Sequence, residues 1–381
     1  MRMVKIIIIL NLLFCATPQK KEEASQKEYE PLKEAKASYI RALSYYQQGK
    51  FEDALNSYKE AYKLDPNFID ALIGIGNTYI ALRKYEQADS VFSQVIFKYP
   101  DDSRGYEGLG FLYGFCKKDY GKGKYYYLRA LERKKDDPAI IFNLATLSED
   151  YDKNFADSLY RFLLSKNPDH AGTIKKYTLF LIKEKRYKDA LIYAYKAESL
   201  FTEDVELRTR LVELFYNTKE YKKALENVDF VISKFPQSAS LYIQRGDIYS
   251  AMGNYSKALL DYDTALKIEE NNILALLRKS ELLVRVQRPA EGINIAQRAI
   301  NLGITEPELK SFAYAIIGDG YKKIAENLAE KGEKNSAINN YKLAINYYEK
   351  SKSAGKTAYY SYSDANIKIC EEKIRKLLGI R

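Results

Sequence analysis

Residue types on which catalytic and metal sites often depend are scarce in this sequence. The 381-residue chain has no tryptophan, one histidine and three cysteines. The histidine, His170, is expected in a loop, and no Ser-His-Asp or Cys-His arrangement can be built around it. Cys15, Cys116 and Cys370 lie far apart and lack the spacing of metal ligands or of a disulfide framework. We therefore expect no enzymatic activity, no metal site and no cofactor.

Phosphate-binding motifs and dense basic runs are also missing. The sequence contains no G-x-x-x-x-G-K-[ST] motif and no G-x-G-x-x-G after a strand. The formal net charge is +10, from 61 Lys and Arg against 51 Asp and Glu, but the cations are scattered among acids. A nucleic-acid surface needs cations clustered on one face. We expect no nucleic-acid partner, and weak attraction to an anionic surface explains the charge equally well.

The dominant feature of the chain is an internal repeat of 34 residues. Four stretches share one frame: 51–66, 85–100, 221–236 and 255–270. Each has an alanine at one position and a bulky residue four positions later, and three have a proline twelve positions after the alanine. These residues are Ala54, Ala88, Ala224 and Ala258; Tyr58, Phe92, Val228 and Tyr262; and Pro66, Pro100 and Pro236. A repeat of this length predicts stacked helical units.

A second pattern, Gly-x-x-Tyr, lies in the upstream half of the units. It begins at Gly76, Gly110, Gly246 and Gly318. Two antiparallel helices approach to about 8–10 Å where small side chains meet. We therefore expect this glycine and the repeated alanine to mark the crossing of the two helices, with the bulky residues filling the space beside it.

Together these features resemble the tetratricopeptide repeat family. The resemblance covers residues 35–348 and implies an all-α fold, a right-handed superhelical solenoid of about nine helix pairs. The family's usual tryptophan is absent, and the third unit has a small insertion around residues 119–123. An amphipathic segment within residues 349–381 is expected to form a C-terminal capping helix. The units start near Ala35, Ile69, Ser103, Pro138, Ala171, Val205, Ala239, Ile273 and Lys310.

Residues 1–15 have the proportions of a bacterial signal sequence. Two cations precede a short apolar run, which is too short to span a bilayer comfortably, and Cys15 follows at once. This resembles a lipoprotein signal, in which the cysteine becomes the lipidated first residue. Leu12 fits that pattern, whereas Phe14 stands where a small residue is expected.

The resemblance implies a protein anchored through Cys15 to a membrane of the cell envelope. Ala16 is not the acidic residue that retains lipoproteins in the inner membrane of enteric bacteria, so the outer membrane, facing the periplasm, is expected. Residues 16–34 would form a flexible tether. The alternatives are ordinary cleavage near Ala16, which gives a secreted or periplasmic protein, an uncleaved anchor, and a cytosolic protein with an apolar start.

Members of the family usually bind a partner segment along a concave groove that the first helix of each pair lines. The residue after the small crossing residue points into this groove in the family. In the N-terminal units we expect an apolar and aromatic surface, formed by Tyr39, Tyr46, Asn77, Phe111 and Phe115. In the last four units an acid recurs at that position, as Glu213, Asp247, Glu281 and Asp319.

This acidic ladder has two interpretations. It would favour a partner segment that carries Lys or Arg. Alternatively, the acids pair with neighbouring cations such as Arg245 or Lys279 and serve the structure.

The expected function is a non-catalytic scaffold for protein–protein interaction in the cell envelope. The alternative is a carbohydrate-binding or polysaccharide-export solenoid that uses some of the 35 tyrosines as stacking platforms. Tyrosines exposed along the groove would favour carbohydrate binding, whereas tyrosines buried between helices would favour the scaffold.

Overall fold

The computed structural model describes residues 29–380 of the chain. The predicted signal sequence, Cys15 and most of the predicted tether therefore lie outside the described residues. Within residues 29–380 the regular structure is helical, with 19 α-helices, one π-helical turn and no strand. The all-α prediction is confirmed over this range. None of the helices in it combines the length and the apolarity needed to cross a membrane.

The chain divides into two compact units, Met1–Phe180 and Leu181–Arg381. In the first unit, each helix packs against the next one along the chain, and the helices follow in pairs. They are α1 (Lys33–Gln47), α2 (Phe51–Leu64), α3 (Ile69–Ala81), α4 (Tyr85–Lys98), α5 (Ser103–Phe111), the π-helical turn (Leu112–Cys116), α6 (Tyr120–Arg133), α7 (Pro138–Ser148) and α8 (Lys153–Lys166).

Helix α9 (Ala171–Lys183) contains the division between the units, and α10 (Tyr187–Leu200) is the first helix that lies wholly in the second unit. From α11 onward the helices again pack in order along the chain. They are α11 (Val205–Asn217), α12 (Tyr221–Lys234), α13 (Ala239–Ala251), α14 (Tyr255–Ile268), α15 (Ile273–Arg285), α16 (Pro289–Asn301), α17 (Pro307–Glu330), α18 (Lys334–Ser353) and α19 (Tyr359–Leu378).

The order of helices along the chain confirms the predicted nine pairs and the final capping helix. Seven of the nine predicted unit starts coincide with the first residue of a helix. Second helices end two residues before Pro66, Pro100 and Pro236, since proline cannot continue a helix. The last helix, α19, packs against α18 and α17.

Helix pairs are held together where an aromatic ring of the second helix lies on a glycine of the first. A Cβ atom added to Gly246 would lie 2.6 Å from the Tyr262 ring, and one added to Gly76 would lie 2.7 Å from the Phe92 ring. Such distances leave room for hydrogen alone, so the glycine lets the ring approach the backbone. The repeated alanines of the second helices, Ala54, Ala88, Ala224 and Ala258, are completely buried.

Tyrosine is the bulky packing residue of the repeat. Six tyrosines are among the largest side chains that are less than 2 % exposed: Tyr127, Tyr160, Tyr177, Tyr262, Tyr341 and Tyr348. Other tyrosines are more open, and some stack on a neighbour, as the half-buried Tyr120 and the exposed Tyr151 do at 4.6 Å between ring centroids. Tyrosine thus supplies many of the largest buried side chains in a sequence that has no tryptophan.

The extra residues of the third unit lie slightly earlier than the sequence suggests. We expected an insertion around residues 119–123, but residues 120–123 are already helical in α6. The π-helical turn contains the extra backbone instead, and Lys118, which has a φ of 60°, precedes α6 by two residues just as Arg83 precedes α4. The wider turn brings Gly114 against Gly123, where a Cβ atom would lie 2.6 Å from the Gly114 backbone.

The turns between the helices of a pair repeat one backbone conformation. Lys185, Lys219, Gly253 and Gln287 follow one another at intervals of 34 residues, and all four have positive φ angles. A left-handed backbone is unfavourable for residues other than glycine by about 1–2 kcal/mol. The repeat thus imposes this conformation on three side chains that disfavour it.

Replacing Gly253 by alanine should lower the free energy of unfolding by about 1–2 kcal/mol. Its φ is 78°, and no atom lies within 4 Å of the position of an added Cβ, so the loss would come from the backbone alone. Urea unfolding of Gly253→Ala and Gly253→Asn measures this loss. Asparagine tolerates the left-handed conformation better and serves as the matched control. Equal losses in the two variants would show that backbone strain is not the cause.

Candidate functional site

A cavity of about 300 Å³ opens in the second unit between the first helices of successive pairs. Two of the predicted groove acids, Asp247 and Glu281, line it. Eight of its nine lining residues belong to first helices, and Tyr262 of α14 is the exception. The lining residues are Tyr216 of α11; Asp247, Ser250 and Ala251 of α13; Tyr262 of α14; and Arg278, Glu281, Leu282 and Arg285 of α15.

Asp247 is held by the two helices that flank it. The Tyr262 hydroxyl donates a hydrogen bond of 2.7 Å to its Oδ1 atom, and Arg278 Nε of the next pair lies 3.5 Å from Oδ2. Burial raises the pKa of the Asp247 carboxyl, although Arg278 and the hydrogen bond from Tyr262 favour its charged form. The ring that packs on Gly246 thus also stabilises the charge of the following residue.

The same arrangement recurs at Asp319. The Tyr348 hydroxyl donates to Oδ1 at 2.6 Å, while Tyr362 of α19 reaches both carboxylate oxygens at 2.8 Å. Lys322 Nζ lies 3.8 Å away. Burial again raises the pKa of the carboxyl, against the effect of the hydrogen bonds from the two tyrosines. Asp319 therefore helps to attach the capping helix.

The other two acids of the ladder are more open. Glu213 accepts a hydrogen bond of 2.9 Å from the Tyr187 hydroxyl, and Arg210 lies 3.9 Å away. Glu281 lies between two arginines, 3.3 Å from Arg278 Nη1 and 3.7 Å from Arg285.

The cations expected to pair with the acidic ladder, Arg245 and Lys279, pair with other acids. Arg245 binds Asp261 and Asp229, and Lys279 pairs with Asp263. The ladder acids instead contact tyrosine hydroxyls and the cations Arg210, Arg278, Arg285 and Lys322. In the cavity, two arginines balance the charges of two acids.

The residues predicted for the N-terminal groove divide into two groups by their exposure to solvent. Tyr46 and Phe111 are both 8 % exposed and belong to the core, so little of either ring is open to a partner. Tyr39, Asn77 and Phe115 are half-buried.

Tyr39 also lines a second cavity, of about 280 Å³, near the start of the described chain. Its ring packs 4.9 Å from that of Phe68, and Tyr29 and Ile40 lie at the rim. The backbone N–H of Leu32 donates to Asp65 Oδ2 at 3.0 Å, which holds the chain before α1 in place.

Sequence reasoning missed six of the nine residues that line the cavity in the second unit, among them the aromatic and charged residues Tyr216, Arg278 and Arg285. Each of these three lies three or four residues from a predicted groove acid, Glu213 or Glu281, which is the spacing of neighbours on one face of a helix. That spacing was the signal that could have identified them.

The described residues 29–380 contain no group of three or more His, Cys, Asp and Glu side chains that could hold a metal ion. Cys116 and Cys370 are free thiols, and burial raises the pKa of each to about 11. Both thiols are therefore protonated at neutral pH and suited to packing.

Two segments of the chain match models of the tetratricopeptide repeat. They are residues 45–109, in the first unit, and residues 239–272, in the second. The chain therefore contains tetratricopeptide repeats in both units.

The curated relatives are similar in sequence at a low level. A TPR repeat-containing protein of Methanocaldococcus jannaschii is 24 % identical over 275 residues, which are 71 % of this chain and 39 % of that protein. The Hsp70-Hsp90 organizing protein of Triticum aestivum is 22 % identical over 290 residues, 76 % of this chain and 43 % of that protein. The matches span less than half of the length of both relatives.

Solved structures similar to this chain include PilW, described as a type IV pilus biogenesis factor, and yeast Tom70. PilW is 18 % identical with a TM-score of 0.48, covering 57 % of this chain and 98 % of PilW. Tom70 is 13 % identical with a TM-score of 0.39, covering 90 % of this chain and 96 % of Tom70.

Replacing Tyr262 by phenylalanine should destabilise the second unit by about 1–2 kcal/mol at pH 7, because the half-buried carboxylate of Asp247 loses its donor. The pKa of Asp247 should then rise further. A folded-state pKa above the unfolded value means that folding favours the protonated acid. The loss of stability caused by Tyr262→Phe should therefore shrink as the pH falls through the folded-state pKa of Asp247.

Urea unfolding at pH 7 and about pH 4.5 measures this dependence, with the unfolded Asp pKa near 3.9 as reference. Tyr341→Phe is the control, since Tyr341 is equally buried and the structure gives it no hydrogen bond to a carboxylate. A loss from Tyr262→Phe that is the same at both pH values would contradict the role of Asp247.

Proposed function

We propose that this protein is a non-catalytic scaffold that binds a segment of a partner protein along the first helices of its repeats. The observation that carries the proposal is the cavity between α11, α13 and α15, which is lined by polar and charged side chains. Successive repeats offer one polar residue each at a fixed position, as a bound extended chain requires. The name of one relative, the Hsp70-Hsp90 organizing protein, also supports a role in bringing proteins together.

The tyrosine-stacking alternative has less support. Six tyrosines fill the cores of the two units, and their rings cannot stack on a sugar. Tyr216 is the partly exposed tyrosine of the cavity, whereas Tyr120 and Tyr151 already stack on each other. A carbohydrate ligand remains a distinct outcome of the experiment below.

We further propose a place for the scaffold in the cell envelope. The proposal rests on the signal-like residues 1–15 and on Cys15 as the lipidated residue, all outside the described residues. Lipidation by more than one acyl chain gives stable attachment to a membrane. We favour the periplasmic face of the outer membrane, and a secreted or periplasmic protein is the alternative.

A photo-reactive amino acid at Ser250 should form an adduct with a polypeptide in the cells that produce the protein. Ser250 lines the cavity, whereas Leu260 is exposed on the second helix of the same pair and provides the matched control. Gel mobility of the adduct before and after glycosidase treatment, with mass spectrometry of its tryptic peptides, identifies its chemistry. Adducts that form equally at both positions, or none at Ser250, would overturn the proposed scaffold. A glycosidase-sensitive adduct would favour the carbohydrate alternative.

Replacing Cys15 by alanine should release the protein from membranes or stop its processing, because the residue that accepts the lipid is lost. Membrane fractionation and gel mobility of Cys15→Ala test this, with Cys116→Ala as the control for loss of a thiol. A Cys15→Ala protein that stays in the membrane fraction with unchanged mobility would rule out lipidation at this residue.

A further inference from the structure

The cavity of the second unit has a charge arrangement that points to the chemistry of its partner. We propose that Arg285, supported by Arg278 and Tyr216, binds an acidic side chain of the partner segment. This inference rests on the proposed scaffold function and names the class of residue that the cavity selects. It replaces the basic partner suggested by the sequence, which becomes the competing outcome of the test.

Four charged side chains of the cavity form a row of alternating sign. Arg278 Nε lies 3.5 Å from Asp247, Arg278 Nη1 lies 3.3 Å from Glu281, and Arg285 lies 3.7 Å from Glu281. The negative end, Asp247, is covered by the Tyr262 hydroxyl. The positive end, Arg285, has a half-exposed side chain. A ligand carboxylate at Arg285 would continue the alternation, whereas a ligand cation there would meet a like charge.

The two arginines of the cavity are poorly supplied with acceptors. A guanidinium carries five N–H donors. Arg278 donates one hydrogen bond, to Glu281, and its buried Nε has no acceptor at hydrogen-bond geometry among the described residues. Arg285 has one ion pair in the described part of the chain, at 3.7 Å. Donors are therefore left over on the wall of the cavity.

Other arginines of the same unit show what full pairing looks like. Arg245 donates three hydrogen bonds of 2.7–2.9 Å to Asp261 and Asp229. Arg288 binds both carboxylate oxygens of Glu291, at 2.7 and 2.6 Å. Both belong to the same unit as Arg285 and are paired more completely than the two cavity arginines. A carboxylate is the acceptor that binds a guanidinium through two hydrogen bonds at once.

The acids of the cavity do not prevent this binding, because each is engaged by the protein. Asp247 accepts from Tyr262 and lies beside Arg278, while Glu281 lies between the two arginines. Across the cavity, the Tyr216 hydroxyl is available as a further donor, and burial, followed by the negative charge of Asp247, raises the pKa of this hydroxyl. The volume, about 300 Å³, is at the lower limit for small-ligand sites and suits one side chain of a bound segment.

Three sets of short peptides test the proposal. All share one apolar scaffold, are acetylated and amidated so that neither terminus is charged, and carry two Glu, two Lys or two Gln. Fluorescence anisotropy at low salt, where charge contributes most, measures their binding to the full chain. We expect the Glu peptides to bind about ten-fold more tightly than the Lys peptides. Arg285→Glu should reverse this preference.

Arg288→Glu is the matched control, because Arg288 has a similarly exposed side chain, follows Arg285 by three residues and does not line the cavity. It should leave the preference unchanged, and circular dichroism should show equal helix content in all variants. Glu281→Gln should strengthen binding of the Glu peptides, since it removes the acid that both arginines share.

Preference for Lys or Gln peptides overturns the proposal, as does a preference for Glu peptides that Arg285→Glu leaves intact. Binding of none of the three sets also counts against it. If the cross-link from Ser250 forms in that case, the acidic assignment fails and the scaffold function stands. If neither peptide binding nor the cross-link from Ser250 is observed, the acidic assignment and the scaffold function both fail.

Discussion

The contact on which this structure depends is an aromatic ring pressed against a backbone that has no side chain at that point. In four of the helix pairs, the ring comes from the second helix of the pair and the glycine from the first, as with Tyr262 and Gly246. A completely buried alanine lies four residues before Tyr262, on the same face of its helix. Small residues on both helices permit the close approach, and the ring restores the packing volume that they give up.

This packing contact also fixes the polar side of the repeat. A ring that lies on the glycine projects its para position toward the residue that follows the glycine. At Asp247 and Asp319 the ring is a tyrosine, and its hydroxyl donates to the carboxylate of that residue. In the first unit, the Tyr160 hydroxyl donates to Glu149 at 2.6 Å and lies 3.2 Å from the Thr146 hydroxyl. The ring that packs in the core thus also supplies the hydrogen bond to the groove carboxylate. Replacing that tyrosine therefore alters the electrostatics of the groove.

Periodicity sufficed to predict the helices, the pairing and the crossing residues, because each depends on local spacing and on small side chains. It placed seven unit starts at the first residue of a helix. It could not distinguish Asp247, which is bonded by Tyr262, from Glu281, which lies between two arginines. The two acids occupy one position of the repeat, and their roles depend on the rotamers of side chains from other helices. The insertion of the third unit was placed too late for a similar reason, since spacing gives the number of extra residues but not the π-helical turn that holds them.

The choice between tyrosine and phenylalanine on the second helix thus determines what the groove position can do. Tyr262 engages Asp247 and withdraws it from a partner. Opposite Gly76 the ring is Phe92, which has no hydroxyl to donate, and the following residue, Asn77, is half-buried. An amide in that position can donate to and accept from a bound backbone. The repeats therefore differ in the hydrogen bonding of the groove position where they differ by one oxygen atom in the core, and a sequence comparison confined to the groove positions would overlook that difference.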